Sequence, residues 1–242
     1  MVVAVYSAKG GVGRTVLAGN LAMAAVSRRS RVALMDLNLS FGGAEVLLDM
    51  EPAKTLADLF PVLLELNEQH LLNMAVRHAS GVHLLASPVS TAWVDRLGRD
   101  EVAALVQACR EAFDLTLIDL PADLNPGTLG GVAEADHILF VVTPDVLSVR
   151  ALQVSLTALG DYGLGLETRA SLLVNRVDKL AEVSVDDIAK LTGLPVFGQV
   201  RSDYRRIRTP VNLGMPLVPG GGKKARTAVG SDLQALAERL TG

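Results

Sequence analysis

Short, unbroken apolar runs recur along this chain, at residues 2–6, 32–35, 82–86, 115–118, 138–142, 171–174 and 196–200. They are continuous rather than alternating, the pattern of strands buried on both faces of a parallel sheet. Between them, residues 14–28, 100–112, 146–159, 184–191 and 230–240 space their apolar positions three and four apart, which predicts helices. Strand-helix alternation throughout predicts an α/β fold: a doubly wound, mostly parallel sheet flanked by helices on both faces. No repeat and no domain-sized break in composition interrupts the pattern, so residues 1–242 are expected to form a single domain. Residues 39–52, which mix glycines with acids, and 219–224, with three consecutive glycines, are the expected flexible places.

Composition narrows the function classes. Half of the 242 residues are hydrophobic, which excludes disorder, and only 4% are aromatic, so the core must be aliphatic. Cys109 is the only cysteine, which rules out an internal disulfide or a thiolate cluster and fits a reducing cytoplasm. The opening MVVAVYSAKGG is unlike a secretory leader, and no stretch approaches the roughly 18 apolar residues of a membrane span. A net charge of −3 gives no global attraction to nucleic acid, so any such binding needs a local patch. His70, His78, His83 and His137 are scattered without metal-ligand spacing, and structural roles are expected for them.

The strongest chemical motif is SAKGGVGRT, residues 7–15, between the first predicted strand and the first predicted helix. A glycine-rich turn there aims backbone N–H groups and the positive end of a helix dipole at one spot, which suits a polyphosphate. Gly10, Gly11 and Gly13 let the backbone approach phosphate without a Cβ in the way. Thr15, the first hydroxyl of the helix, is placed to ligate Mg²⁺. The strict phosphate-loop pattern GxxxxGK[ST] would have glycine at Ala8 and lysine at Arg14. A glycine turn that merely lets strand and helix pack is the plainer alternative. Lys9, a second basic residue inside the loop, is no part of the ordinary pattern.

KGGVGRT resembles the deviant phosphate loop KGGxGK[ST] of the MinD/ParA ATPases. That resemblance implies ATP and Mg²⁺ as ligands, with residues 10–16, Val12 and Val16 included, around the phosphates. It also implies a nucleotide-sandwiched homodimer in which Lys9 reaches the partner's phosphates. VALMDLNLSFGGAEVLLDMEPAKTLADL is similar to the DLDLxFGxxxxLLDLxPxxTLADL segment of the TadZ/CpaE branch, the pilus-assembly relatives of MinD. LTLIDLPADLNPGTLGGVAEADHILFVVTPDVLSVRAL resembles the same branch, which implies that Asp119 is the acid that holds the magnesium's water shell. Full-length relatives often carry a receiver-like amino-terminal domain, so a short form or a fragment is expected here. In SLLVNRVDK, the resemblance assigns Asn175 to the adenine edge, with Arg176 beside it; capping of the next turn is the other reading. PVFGQVRSDYRRIRTPVNLGMPLV resembles the family stretch that walls in the base, which brings Arg201 and Asp203 to the nucleotide, with Val200 and Arg201 in place of Ile-Pro.

Two departures bear on catalysis. Arg14 replaces the lysine that follows the β- and γ-phosphates, exchanging a point charge for a wide planar fork. Asn38 replaces the second acid of a DxD pair associated with the attacking water, and an amide cannot take a proton as a carboxylate can. Asp36, the first acid, is expected near the magnesium shell or its switch, or as a helix cap. Hydrolysis slower by a few orders of magnitude, with nucleotide binding kept, is the expectation.

Arg201, Arg205, Arg206, Arg208, Lys223, Lys224 and Arg226 form a local basic cluster over 201–226, either a surface for non-specific DNA binding or a solvated face. The tail VGSDLQALAERLTG lacks bulky anchors, unlike the membrane helix of MinD, so membrane association is expected only through a partner. The leading expectation is a slow ATPase switch that positions a pilus or secretion apparatus. The alternatives are a scaffold that holds nucleotide without turnover and a partitioning ATPase.

Overall fold

All seven apolar runs become strands. The structure, a computed structural model, describes residues 1–26, 31–94, 96–218 and 227–242, with the side chains of residues 64 and 91 outside the description. In chain order the strands are β1 (Val2–Tyr6), β2 (Val32–Asp36), β3 (Val76–Arg77), β4 (His83–Leu85), β5 (Leu115–Asp119), β6 (His137–Val142), β7 (Ala170–Val177) and β8 (Val196–Arg201). The helices are α1 (Arg14–Ala25), α2 (Ala44–Leu47), α3 (Glu68–Met74), α4 (Arg99–Ala112), α5 (Pro126–Glu134), α6 (Val146–Asp161), α7 (Val185–Thr192), α8 (Tyr204–Asn212) and α9 (Ala228–Thr241). A 3₁₀ segment covers Leu56–Glu65.

The sheet runs β3-β4-β2-β5-β1-β6-β7-β8 and is parallel except at the β3–β4 edge. Alternate side chains of each central strand feed two cores. Val3, Val5, Leu34 and Leu117 pack with α1 and α9 on one face, while Ala4, Tyr6, Met35 and Ile118 pack with α4, α5 and α6 on the other. That two-sided burial explains the unbroken apolar runs. The chain leaves β1 toward β2 on one side and later continues from β5 to β6 on the other. The order therefore reverses at the carboxyl end of β1, where ligands bind in open α/β sheets.

One expected loop is corrected. Within 39–52 the chain forms α2, and Ala44, Leu47 and Leu48 are buried. The cause is Asp36 at the end of β2, which accepts hydrogen bonds from the N–H groups of Asn38 and Ala44 and so starts the helix. The segment 219–224, the end of the first predicted helix at 27–28, and Lys223, Lys224 and Arg226 lie outside the described residues. Among the described residues, no helix is long and apolar enough to cross a membrane.

Candidate functional site

The loop after β1 ends at Gly13, whose φ of 90° is left-handed backbone that favours glycine. A Cβ there would lie 2.7 Å from the Asn175 amide nitrogen, so the position needs glycine twice over. No side chain caps α1 and no acid stands in its first turn, which leaves the helix's positive end to an outside anion.

Beneath the loop, the strand ends β2 and β5 set Asp36 opposite Asp119 in register, both fully buried. Asp119 accepts Arg14 Nε at 2.6 Å on one oxygen and the Thr15 hydroxyl at 2.5 Å on the other. Burial, then the neighbouring Asp119 charge, pushes the Asp36 carboxyl up to about 7, even though two backbone N–H groups favour its charged form. Asn38 gives its amide N–H to the Gly42 carbonyl at 2.9 Å, closing the turn before α2.

Lys9 lies on the rim. Its ammonium contacts Asp145 at 2.9 Å, and about a third of each side chain is exposed. Asp145 also caps α6 by accepting the Ser148 N–H, and it accepts the Thr143 hydroxyl. Burial works to raise the Asp145 carboxyl, but those donors and Lys9 together hold it below the usual carboxylate range.

At the end of β7, Asn175 donates to the Val12 carbonyl at 2.7 Å, and Arg176, in left-handed backbone at φ 59°, donates to the Gly11 carbonyl at 2.8 Å. The Asn175 amide thus has a partner that neither sequence reading named. Gly13, Val16, Asn175, Arg176, Arg201 and Asp203 nevertheless share one cleft of about 280 Å³ beside the loop. The Arg201 guanidinium is held by Asp232 of α9, at 2.6 Å.

A second cavity, about 460 Å³, joins residues 9–16 and Asn38 to Leu39, Phe41, Asp123 and Asn125. Asp123, the one acid among the described residues in its lining, and Asp145 were not singled out by the sequence. The readable signal for Asp145 was its place between a strand and a helix, where Asp is a favoured cap.

The Thr15 hydroxyl and the Asp119 carboxylate put oxygen donors side by side, a set that suits a hard cation held mainly by phosphate and water. Among the described residues, no three His, Cys, Asp or Glu side chains gather for a metal.

A glycine loop opening on an uncapped helix, at the reversal point of a parallel sheet, defines a phosphate-binding α/β protein of the P-loop class. The family model described as "AAA domain" matches residues 1–161. A putative septum site-determining protein MinD from Mesostigma viride is 30% identical over 252 residues, covering 99% of this chain and 83% of that one. The crystal structure of a ParA family ATPase from Chlorobium tepidum TLS superposes with a TM-score of 0.86 at 21% identity, covering 99% and 98% of the two chains. MinD complexed with Mg-ADP from Pyrococcus horikoshii OT3 gives 0.81 at 19% identity, covering 99% and 95%. The chain belongs to the MinD/ParA-type P-loop ATPases.

Proposed function

We propose that this chain is a TadZ/CpaE-like, ATP-dependent dimerising switch that positions a pilus or secretion apparatus. The observation that carries the switch is the placement of Lys9: a partly exposed ammonium on the rim of an uncapped phosphate loop, held by an ion pair that water already weakens. In the proposed cycle Lys9 exchanges Asp145 for phosphate across a dimer face, while residues 10–16 cradle the bound triphosphate. Asn175, Arg176, Arg201 and Asp203 border the cleft for the base. Thr15 and Asp119 would hold Mg²⁺, which neutralises phosphate charge when bound. The pilus role rests on the resemblance of residues 32–59 and 115–152 to the TadZ/CpaE branch, and the site is cytoplasmic, reaching pole or membrane through a partner.

Turnover on this reading is slow. The Asn38 amide is neutral and closes its own turn on Gly42, which leaves the attacking water without a proton acceptor there. The same observation favours the second reading, a nucleotide-holding scaffold without hydrolysis. A third, DNA partitioning, draws on α8, where Arg205 and Arg208 are exposed and make no ion pair among the described residues.

Sizing the protein with and without Mg·ATP tests the switch: a shift from monomer to dimer is expected, and Lys9→Ala abolishes it. A wild-type protein that stays monomeric at saturating Mg·ATP would falsify the switch. Single-turnover hydrolysis by wild type, Asn38→Asp and Arg14→Lys separates switch from scaffold, since turnover restored only in the variants favours the scaffold. Salt-sensitive DNA retention that survives loss of Arg205, Arg206 and Arg208 removes partitioning.

A further inference from the structure

Arg14 begins α1, where the phosphate reading wants a cation, yet its Nε–H is spent on Asp119 at 2.6 Å with only 11% of the side chain exposed. Asp119 has no exposed surface, and Asp36 beside it has none either. The oxygens of Asp36 are taken by two backbone N–H groups. Arg14 is therefore the one cation in contact with this buried pair of carboxylates among the described residues.

We infer that Arg14 is a built-in counter-cation, holding Asp119 while no divalent cation does and exchanging Asp119 for phosphate when cation and nucleotide arrive together. The inference rests on the nucleotide reading above and deepens it.

The two oxygens of Asp119 differ in what they can give up. One receives the Thr15 hydroxyl hydrogen, a bond that leaves the Thr15 lone pairs available to a cation. The other receives Arg14 Nε–H, and a carboxylate oxygen facing that donor cannot also receive a water of a cation's shell along the same direction. Cation and guanidinium are rivals for it. Lysine has no donor part-way along its stem, so this side-on hold is particular to arginine. The rivalry has two consequences. A divalent cation without nucleotide must displace Arg14 into a site with no anion to receive it. Nucleotide without a divalent cation meets an Arg14 still committed to Asp119. Each ligand therefore assists the other, by the same factor in both directions.

Two measurements test this, one on the wild-type protein alone. The Arg14 Nε–H signal in ¹⁵N-resolved NMR should be slow to exchange in nucleotide-free protein and should move or vanish on saturation with Mg²⁺ and a non-hydrolysable ATP analogue. A signal that stays in place at saturation overturns the inference. Without any nucleotide, Mn²⁺ binding read by paramagnetic resonance should be at least about tenfold tighter in Arg14→Gln than in wild type, one factor of ten being a modest share of a charge-pair difference. Equal Mn²⁺ affinity in the two also overturns it. If Arg14→Gln does not fold, the wild-type signal decides. Failure of the nucleotide reading shows separately, as absent nucleotide uptake by wild type, and leaves the Mn²⁺ comparison able to judge Arg14.

Discussion

The phosphate loop carries a cation at each end, and the two live in different solvents. Arg14 and Asp119 meet at 2.6 Å with 11% and 0% of their side chains exposed, whereas Lys9 and Asp145 meet at 2.9 Å with 36% and 33%. In the dry pair each charge depends on the other, because water cannot replace a lost partner. In the wet pair, water and salt can. The floor of the site thus holds its pairing until a ligand supplies replacement charges, while its rim is free to change partners at little cost. That division suits the proposed switch, in which the rim lysine engages a second molecule.

Four outcomes would break or sharpen this contrast. Asp119→Ala strands Arg14 in the interior and should destabilise the fold by about 3–5 kcal/mol in urea unfolding. Adding Arg14→Met to it should recover part of the loss, and a double variant no more stable than the single one breaks the account of the floor. The pH dependence of Asp36 comes next. Its folded carboxyl holds a proton up to about 7, against 3.8 for the ordinary group, so the folded state binds more protons and stability falls as pH rises through that window. Between pH 5 and 7 the loss should be about 2 kcal/mol, and it should be absent in Asp36→Asn; parallel pH curves for the two proteins contradict it.

The rim should respond less. Asp145→Ala removes the cap of α6 and should cost about 1 kcal/mol, read from its thermal midpoint. Lys9→Ala should stay within about 0.5 kcal/mol of wild type while losing the proposed ATP-driven dimer. A large stability loss in Lys9→Ala would make that residue a structural one and erase the contrast.

Most of the fold was legible because central strands of a parallel sheet are apolar on both sides, and β1, β2, β5 and β6 are fully or almost fully buried. What escaped reading had weak local grammar. α5 is PGTLGGVAE, whose glycines read as breakers, yet a Cβ on Gly130 would stand 3.1 Å from the Arg99 backbone. Gly130 is there for the close approach of α4, and Gly131 leaves room for Leu120, tertiary reasons with no local trace. β3 is two residues long and, among the described residues, pairs with β4 alone. α2 depends on Asp36, eight residues before it. At the site, the loop and its flanking acids were readable as motifs, but the wiring was not. Arg14 finds Asp119 at a separation of 105 residues and Lys9 finds Asp145 at 136, distances that only the strand order closes.

The grip of β7 on the loop has a consequence of its own. Asn175 and Arg176 each clamp a carbonyl of a turn some 160 residues upstream, so the turn's shape is inherited from the sheet. An arriving polyanion then spends little on ordering the backbone that receives it. The same linkage ties durability to readiness: whatever frays the last residues of β7 removes both clamps on the anion seat in the same event.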